Sequence, residues 1–336
     1  MRPVHDMVGA LDLLYRAFYR AVLARLPERG AVAMGQWGLR HLPLDRLGMF
    51  RNPDPRLATT LGGVRLANPL ILSSMYSDTA ILRRAMGLGW GAVTAKSITP
   101  GPRPGHPEPN LVRIQTAEGP GLVNCNGFKN PGLEAYRSAL AALPHRVPLI
   151  VAAAGESAED YVRVVAGLQE FGELVELNIS SPNTKLVYGW STRPAELKDV
   201  FRAVRAATAK PLIVKISPDF RETNEEITIP AALDAGITIV NYGNTRRVDE
   251  PRLSQRTGGL SGPALFATTL ENVGRVRERF GDRLELIATG GIDSPDSARR
   301  ALDAGATACG IFTGFITRGP LLPRRILDAL AAARQK

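Results

Sequence analysis

The stretch Glu176-Leu177-Asn178-Ile179-Ser180-Ser181-Pro182-Asn183-Thr184 ends an apolar run with two amides and two hydroxyls. A strand interior has little use for such groups, because a buried amide or hydroxyl must find a partner or cost free energy. At a strand tip they have a use. Asn178 and Asn183 on either side of the tip can read the alternating N–H and C=O edge of a small planar imide, while a serine between them reaches the ring. Asn124 and Asn244 add two amides at other strand ends or the loops beside them. A cluster of neutral amides points to a neutral heterocycle rather than to a sugar phosphate alone; the plainer alternative is an asparagine-capped turn.

Lysine is scarce, supplying seven of the 42 cationic side chains, so its placement is informative. Lys96 is read inside a second strand and Lys215 inside a fifth, within Pro211-Leu212-Ile213-Val214-Lys215-Ile216-Ser217. A lysine in an apolar parallel strand is expensive unless it faces an anion or a polar cavity. Glycines close two later strands, in Thr289-Gly290-Gly291 and in Gly310-Ile311-Phe312-Thr313-Gly314. Such tips let backbone N–H groups approach a phosphate. The four histidines form no metal-ligand spacing, and no metal site is expected. Cys125 adjoins Asn124 and Cys309 lies in an apolar run; both read as structural.

These groups need a scaffold that brings strand ends together. From about residue 64 onward, short β-branched runs alternate with longer amphipathic ones, the pattern of repeated βα units. Strands are expected at Leu70 to Leu72, Gly91 to Thr99, Pro148 to Ala154, Leu174 to Ser180, Pro211 to Ser217, Ile237 to Asn244, Leu284 to Gly290 and Ala308 to Gly314. Helical patterns such as Ala158 to Phe171, Pro194 to Ala207 and Ser294 to Ala304 connect them. Eight such units predict an α/β fold, a (β/α)8 TIM barrel over residues 57–336, whose chemistry lies at the C-terminal strand ends. Two connections are too long for plain loops, Pro100 to Asn130 and Thr245 to Pro263, and read as lids or binding loops on that face.

Residues 1–56 stand outside the repeat. Leu11, Tyr15, Phe18, Val22 and Leu26 fall at helical spacing, Pro27 and Gly30 interrupt, and a second helix carries Ala31, Met34, Trp37 and Leu42, giving an N-terminal helical hairpin. Nine arginines against five acids make the segment net +4. It either lies on an anionic membrane surface or caps the barrel.

Composition narrows the field further. Apolar residues are 44% and charged residues 22% of the 336, which excludes disorder and a coiled coil. No uninterrupted apolar run reaches 18 residues, and the N-terminus lacks a secretory pattern. Two cysteines cannot build a disulfide framework. The net charge of +10 is dispersed among acids, as where Arg246-Arg247 meets Asp249 and Glu250, so no nucleic-acid partner is expected.

Pro102-Arg103-Pro104-Gly105-His106-Pro107 with Pro109, then Asn124-Cys125-Asn126-Gly127-Phe128, Asn178 to Asn183 and Gly258 to Gly262 occur in an order that resembles the flavin-dependent dihydroorotate dehydrogenases across the whole barrel. The resemblance implies FMN in the barrel mouth and oxidation of dihydroorotate to orotate in pyrimidine synthesis. It implies catalytic roles for Ser181, Lys215 and Lys96, and substrate contacts from Lys96, Asn124, Asn178, Asn183, Asn244 and Thr245. FMN contacts are implied for Ser97, Asn178, Lys215, Gly262, Gly290, Gly291, Phe312 and Thr313. Features of two classes are mixed. Ser181 stands where the quinone-using, membrane-associated class has its serine base, and the helical hairpin is similar to that of this class. Lys96 in Ala95-Lys96-Ser97 and the first strand's Leu72-Ser73-Ser74-Met75 are closer to the soluble class. The expectation is a quinone-linked enzyme held peripherally at the cytoplasmic side of the membrane. The alternative is a soluble FMN-dependent dihydroorotate or dihydropyrimidine oxidoreductase with another acceptor, and otherwise cytoplasmic.

Overall fold

The computed structural model describes residues 2–181, 190 and 193–334, with the side chains of residues 2–6, 194 and 195 excepted. Eight parallel strands close into a barrel in chain order: β1 (Leu70–Leu72), β2 (Ala92–Thr94), β3 (Leu149–Ala153), β4 (Leu174–Asn178), β5 (Leu212–Ile216), β6 (Ile239–Tyr242), β7 (Glu285–Thr289) and β8 (Ala308–Ile311). β8 pairs back onto β1 through Cys309 with Leu70 and Gly310 with Ile71. Alternate residues point inward. Ile71, Ala92, Ile150, Leu174, Ile213, Ile239, Ile287 and Ala308, one from each strand, form a buried layer with Leu61 and Leu66. Those two leucines belong to an antiparallel hairpin, Thr59–Leu61 and Val64–Leu66, which plugs the N-terminal end. With that end filled by hydrocarbon, the opposite end is left for polar side chains.

The helices over Ala158–Leu168, Pro194–Ala207 and Pro295–Asp303 fall where the periodicity puts them. Local chemistry sets their starts. The Ser157 hydroxyl accepts from the Asp160 N–H, and Ser294 with Ser297 closes a reciprocal capping box.

The second strand is shorter than expected, and Lys96 lies two residues past its end rather than inside it. The cause is a diverted hydrogen bond. Ala95 N–H still donates to Ile150, but Lys96 N–H donates to the Tyr76 carbonyl at 2.9 Å, and pairing resumes only at Ile98. The two long connections also differ from the expectation of loops. Leu111–Thr116, Gly119–Asn124, Arg246–Asp249 and Thr257–Ser261 build one four-stranded antiparallel sheet beside the barrel mouth. Its central pairing, Gly259 with Asn124, joins segments 135 residues apart, a partnership no local pattern announces.

Helix α1 (Arg2–Phe18) runs on through a wide turn, Tyr19–Leu23, and helix α2 (Glu28–His41) returns. The apolar stripe found by spacing is only partly docked on the barrel. Val8, Asp12 and Leu23 are buried, whereas Leu11, Phe18, Met34, Trp37 and Leu42 are exposed. Polar bonds explain the orientation: Asp12 pairs with Arg16 and with Arg325 of the last helix, and the Tyr15 hydroxyl donates to the Ile316 carbonyl at 2.8 Å. Downstream, Asp45 accepts from Arg84 and from Arg146, which fastens the following segment to the barrel. Among the described residues no helix is long and apolar enough to cross a membrane.

Candidate active site

One cavity opens at the C-terminal ends of the strands, and it gathers residues from Ser73 to Gly314. Lys96, Ser97, Asn124, Asn178, Ser181, Lys215, Asn244, Thr245, Gly262, Gly290, Gly291, Phe312 and Thr313 all line it. Asn183 lies outside the described residues. Cys125 does not reach the wall; it packs with Val112, Val123 and Leu253 behind the added sheet. Cys309 faces away from the barrel interior, and burial pushes its thiol up to about 12.

A chain of polar contacts crosses the cavity floor. The Ser97 hydroxyl sits 3.3 Å from that of Ser74, and Asn178 Nδ2 donates to it at 3.1 Å. Asn244 Nδ2 is shared between Asn178 Oδ1 at 3.3 Å and the Ser180 hydroxyl at 3.1 Å. Ser180 in turn donates to the Lys215 carbonyl at 2.9 Å. This network joins the tips of β1, β2, β4, β5 and β6 and holds each amide in one orientation. It also separates the two adjacent serines by role: Ser180 is fully buried and spent on the scaffold, while Ser181 faces the cavity.

Both lysines face the same space. Lys215 comes from the middle of β5 and is only 6% exposed, with its ammonium 3.7 Å from Glu176 Oε1. Burial pushes the Lys96 ammonium down to about 8, and the charge of Lys215 adds to the shift. Lys96 Nζ donates to the Met75 sulfur at 4.0 Å, a weak acceptor. Two ammonium groups facing one cavity, with one carboxylate 3.7 Å behind Lys215, make a site for an electron-rich or anionic ligand.

The opposite wall is glycine. Gly291 has φ +74, and a Cβ there would fall 2.5 Å from the Phe266 nitrogen. A Cβ on Gly310 would lie 2.0 Å from Thr289 Oγ1. The backbone is therefore bare where β7 and β8 end, and its N–H groups can face a ligand directly. Ser73 Oγ and Thr289 Oγ1 are buried with no hydrogen-bond partner beside this wall. Orphaned hydroxyls, bare backbone and a cationic floor together fit a flat, polar ring system carrying an anionic tail, such as a flavin mononucleotide.

Several residues of the cavity were not singled out from sequence. Ser73, Ser74 and Met75 line it from the end of β1, and Leu111, Leu122 and Ser261 line it from the added sheet. The first group was detectable as polar residues closing an apolar run. The second depends on the long-range pairing of the sheet. Beneath the wall, Glu176 and Asn241 form a buried pair inside the barrel, with Asn241 Nδ2 donating to Glu176 Oε2 at 2.7 Å. A charged residue in β4 with its side chain inward was the available signal.

A second cavity, of about 520 Å³, lies between the N-terminal helices and the barrel. Tyr19 and Arg20 line one side, Pro120 and Gly121 another, and Thr317 and Arg318 a third, with Arg113 among them. Arg113 ties the hairpin down: its guanidinium donates to the Leu23 carbonyl at 2.6 Å and to that of Leu26, and lies 3.5 Å from Glu28.

Comparison with known proteins agrees with this architecture. A family model described as Dihydroorotate dehydrogenase matches residues 56–333. A dihydroorotate dehydrogenase (quinone) of Chloroflexus aurantiacus is 33% identical over 306 residues, covering 82% of this chain and 82% of the relative. One of Thermus thermophilus is 33% identical, with 84% of each chain covered, and one of Brucella ovis is 34% identical, covering 83% of this chain and 82% of the relative. The crystal structure of the Eimeria tenella enzyme in complex with ferulenol superposes with a TM-score of 0.80 at 25% identity, covering 93% of this chain and 92% of that one. The extent of these matches, over a closed barrel with the site at its mouth, means that this chain belongs to the dihydroorotate dehydrogenase family.

Proposed function

We propose that the chain oxidises dihydroorotate to orotate with FMN in the barrel mouth and a quinone as final acceptor, as a step of pyrimidine synthesis. The observation that carries this reading is the convergence of Ser181, two lysines and the amides of Asn124, Asn178 and Asn244 on one cavity. Family membership supports a flavin, and the curated relatives are named for a quinone.

In this reading the amides and Thr245 hold the polar edge of the dihydropyrimidine, and Lys96 binds its carboxylate. Ser181 takes the proton from the ring carbon next to a carbonyl. FMN, when bound there, would supply the hydride acceptor for the neighbouring carbon. Lys215, with Ser97 and Asn178, holds the flavin's polar edge and favours negative charge on it. Gly262, Gly290, Gly291, Phe312 and Thr313 hold the remainder, with the phosphate at the glycine tips. A serine hydroxyl is a poor base at its ordinary acidity, so exclusion of bulk water and a proton acceptor beyond it belong to the mechanism.

We assign residues 1–56 to quinone and membrane contact and 57–336 to the catalytic barrel. The support is the cavity between the helices and the barrel, together with surface chemistry. Among the described residues, ten of the eleven exposed large apolar side chains lie between Met7 and Leu47. Attachment is peripheral, at the cytoplasmic side of the membrane. The test is anaerobic. Purified protein is expected to be yellow and to be bleached by dihydroorotate; an intact flavin that dihydroorotate leaves oxidised overturns the substrate. Turnover with a quinone in preference to fumarate or NAD then checks the acceptor, and the reverse preference overturns it in favour of the soluble alternative that Lys96 suggests.

A further inference from the structure

Glu176 is the feature that the mechanism leaves unused. It is 1% exposed, points into the barrel from β4 and does not reach the cavity wall. A buried carboxylate is expensive unless it is paired and hydrogen-bonded. Here Oε2 accepts from Asn241, while Oε1 has no hydrogen-bond partner and lies 3.7 Å from Lys215 Nζ. Lys215 stands level with Asn241 in the neighbouring strand and one pair above Glu176. The three side chains thus stack from the apolar barrel floor toward the cavity: a carboxylate held by an amide, then an ammonium, then the ligand space.

We propose that Glu176, held by Asn241, is a positioning residue that partly cancels the charge of Lys215 and so sets the reduction equilibrium of the flavin above it. The inference rests on the proposed presence of flavin in this cavity. Its physical basis is short. Reduction places negative charge on the flavin ring, a nearby cation favours that state, and a carboxylate behind the cation opposes it. Lys96 and Lys215 together would otherwise face the ring as two cations in a site of low polarity. Burial chiefly, and the charge of Lys215 in addition, already disfavour the Lys96 ammonium. A flavin that must receive electrons from dihydroorotate and then release them needs its potential held between the two partners. Uncompensated cations would trap the reduced form.

The experiment uses the flavin-loaded full chain. Glu176→Gln keeps the acceptor for Asn241 and removes the charge. It is expected to shift the two-electron reduction equilibrium at least tenfold toward the reduced form, about 30 mV. Sulfite, which adds to flavin N5 and leaves a similar negative charge on the ring, is expected to bind at least tenfold more tightly, read by loss of the yellow absorbance. Glu176→Asp, which keeps the charge, is expected to stay within threefold of the parent in both. Unchanged potential and sulfite affinity in a flavin-loaded Glu176→Gln protein would overturn the proposal, as would a shift toward the oxidised form. If that variant loses its flavin, Asn241→Leu replaces it: the carboxylate loses its hydrogen-bond donor, its charged form is weakened, and a smaller shift in the same direction is expected. An unshifted Asn241→Leu protein, or loss of flavin from both variants while the parent retains it, reduces the pair to structural support. A parent protein without flavin would instead overturn the proposed function.

Discussion

The two serines at the tip of β4 differ by one position and by everything that matters to chemistry. Ser180 is fully buried and bonded to a backbone carbonyl, whereas Ser181 lies against the cavity. Ser181→Ala is therefore expected to slow anaerobic bleaching by dihydroorotate about 10²–10⁴-fold, the usual range for losing a positioned base, with flavin content retained; bleaching at the parent rate assigns the base elsewhere. Lys96 gives a prediction in pH. Because its ammonium is pushed down to about 8, it is charged below that pH and neutral above it in the ligand-free site. An anionic ligand favours the charged form, so orotate affinity is expected to be flat below about pH 8 and to weaken above it, by up to tenfold per unit. Spectral titration of the flavin with orotate from pH 6 to 10 measures this, and Lys96→Met should remove the slope. The same residue carries a stability term of opposite sense. Its folded value lies below its unfolded one, so the ligand-free protein is destabilised while both states are charged and gains stability as pH rises from about 8 toward the ordinary lysine value of 10.5. The polar residues of this site were legible because they violate the apolar pattern around them, as Asn178, Ser181 and Lys215 do. Glu176 violates it equally, but its partner Asn241 is set by barrel closure, which sequence spacing does not show.

The elements hold these residues through a few backbone constraints. Gly291 combines a positive φ with contact against the Phe266 backbone, so Gly291→Ala faces both a conformational cost of about 1–2 kcal/mol and a collision that no side-chain rotation relieves. The expected outcome is a lower melting temperature and loss of bound flavin, measured by thermal denaturation and by absorbance per mole of protein; a variant with parent flavin content shows that the glycine tip is not part of the cradle. The eight strands were legible because each is a short, mostly apolar and largely buried run, the signal parallel strands leave. The added sheet was not. Its strands contain Gly119, Pro120, Gly121, Gly258 and Gly259, which read locally as turns, and their pairing across Asn124 and Gly259 supplies the order that their composition lacks. Which face of the hairpin docks was not legible either. Helical spacing finds an apolar stripe but cannot tell which side is docked, and here the polar bonds of Asp12 and Tyr15 to the barrel helices, and of Arg113 in the added sheet to the Leu23 and Leu26 carbonyls, decide that.

At the scale of the molecule, net positive charge and exposed apolar side chains fall in one segment. Residues 1–56 hold a net +4 of the chain's +10, and Leu13, Leu14 and Trp37 in the same segment are 66%, 64% and 59% exposed. A soluble surface scatters such side chains singly, whereas clustering beside arginines fits a helix pair resting on an anionic bilayer with its apolar side in the headgroup boundary. Under the proposed function, the cavity between the pair and the barrel is the candidate quinone site, lined by none of the residues that line the barrel mouth. Replacing Leu13, Leu14 and Trp37 together by glutamate removes apolar contact and adds charge of the repelled sign, without touching Val8, Asp12, Tyr15 or Leu23, which anchor the pair. Binding to anionic vesicles is expected to fall at least tenfold, a loss of about 1.4 kcal/mol, and the parent's binding is expected to weaken with added salt. The variant should still be bleached by dihydroorotate at the parent rate and should still use a short, water-soluble quinone, while losing turnover with a long-chain quinone presented in vesicles. Parent-level vesicle binding by the triple variant, measured by co-sedimentation, would detach the hairpin from the membrane and leave it a cap on the barrel.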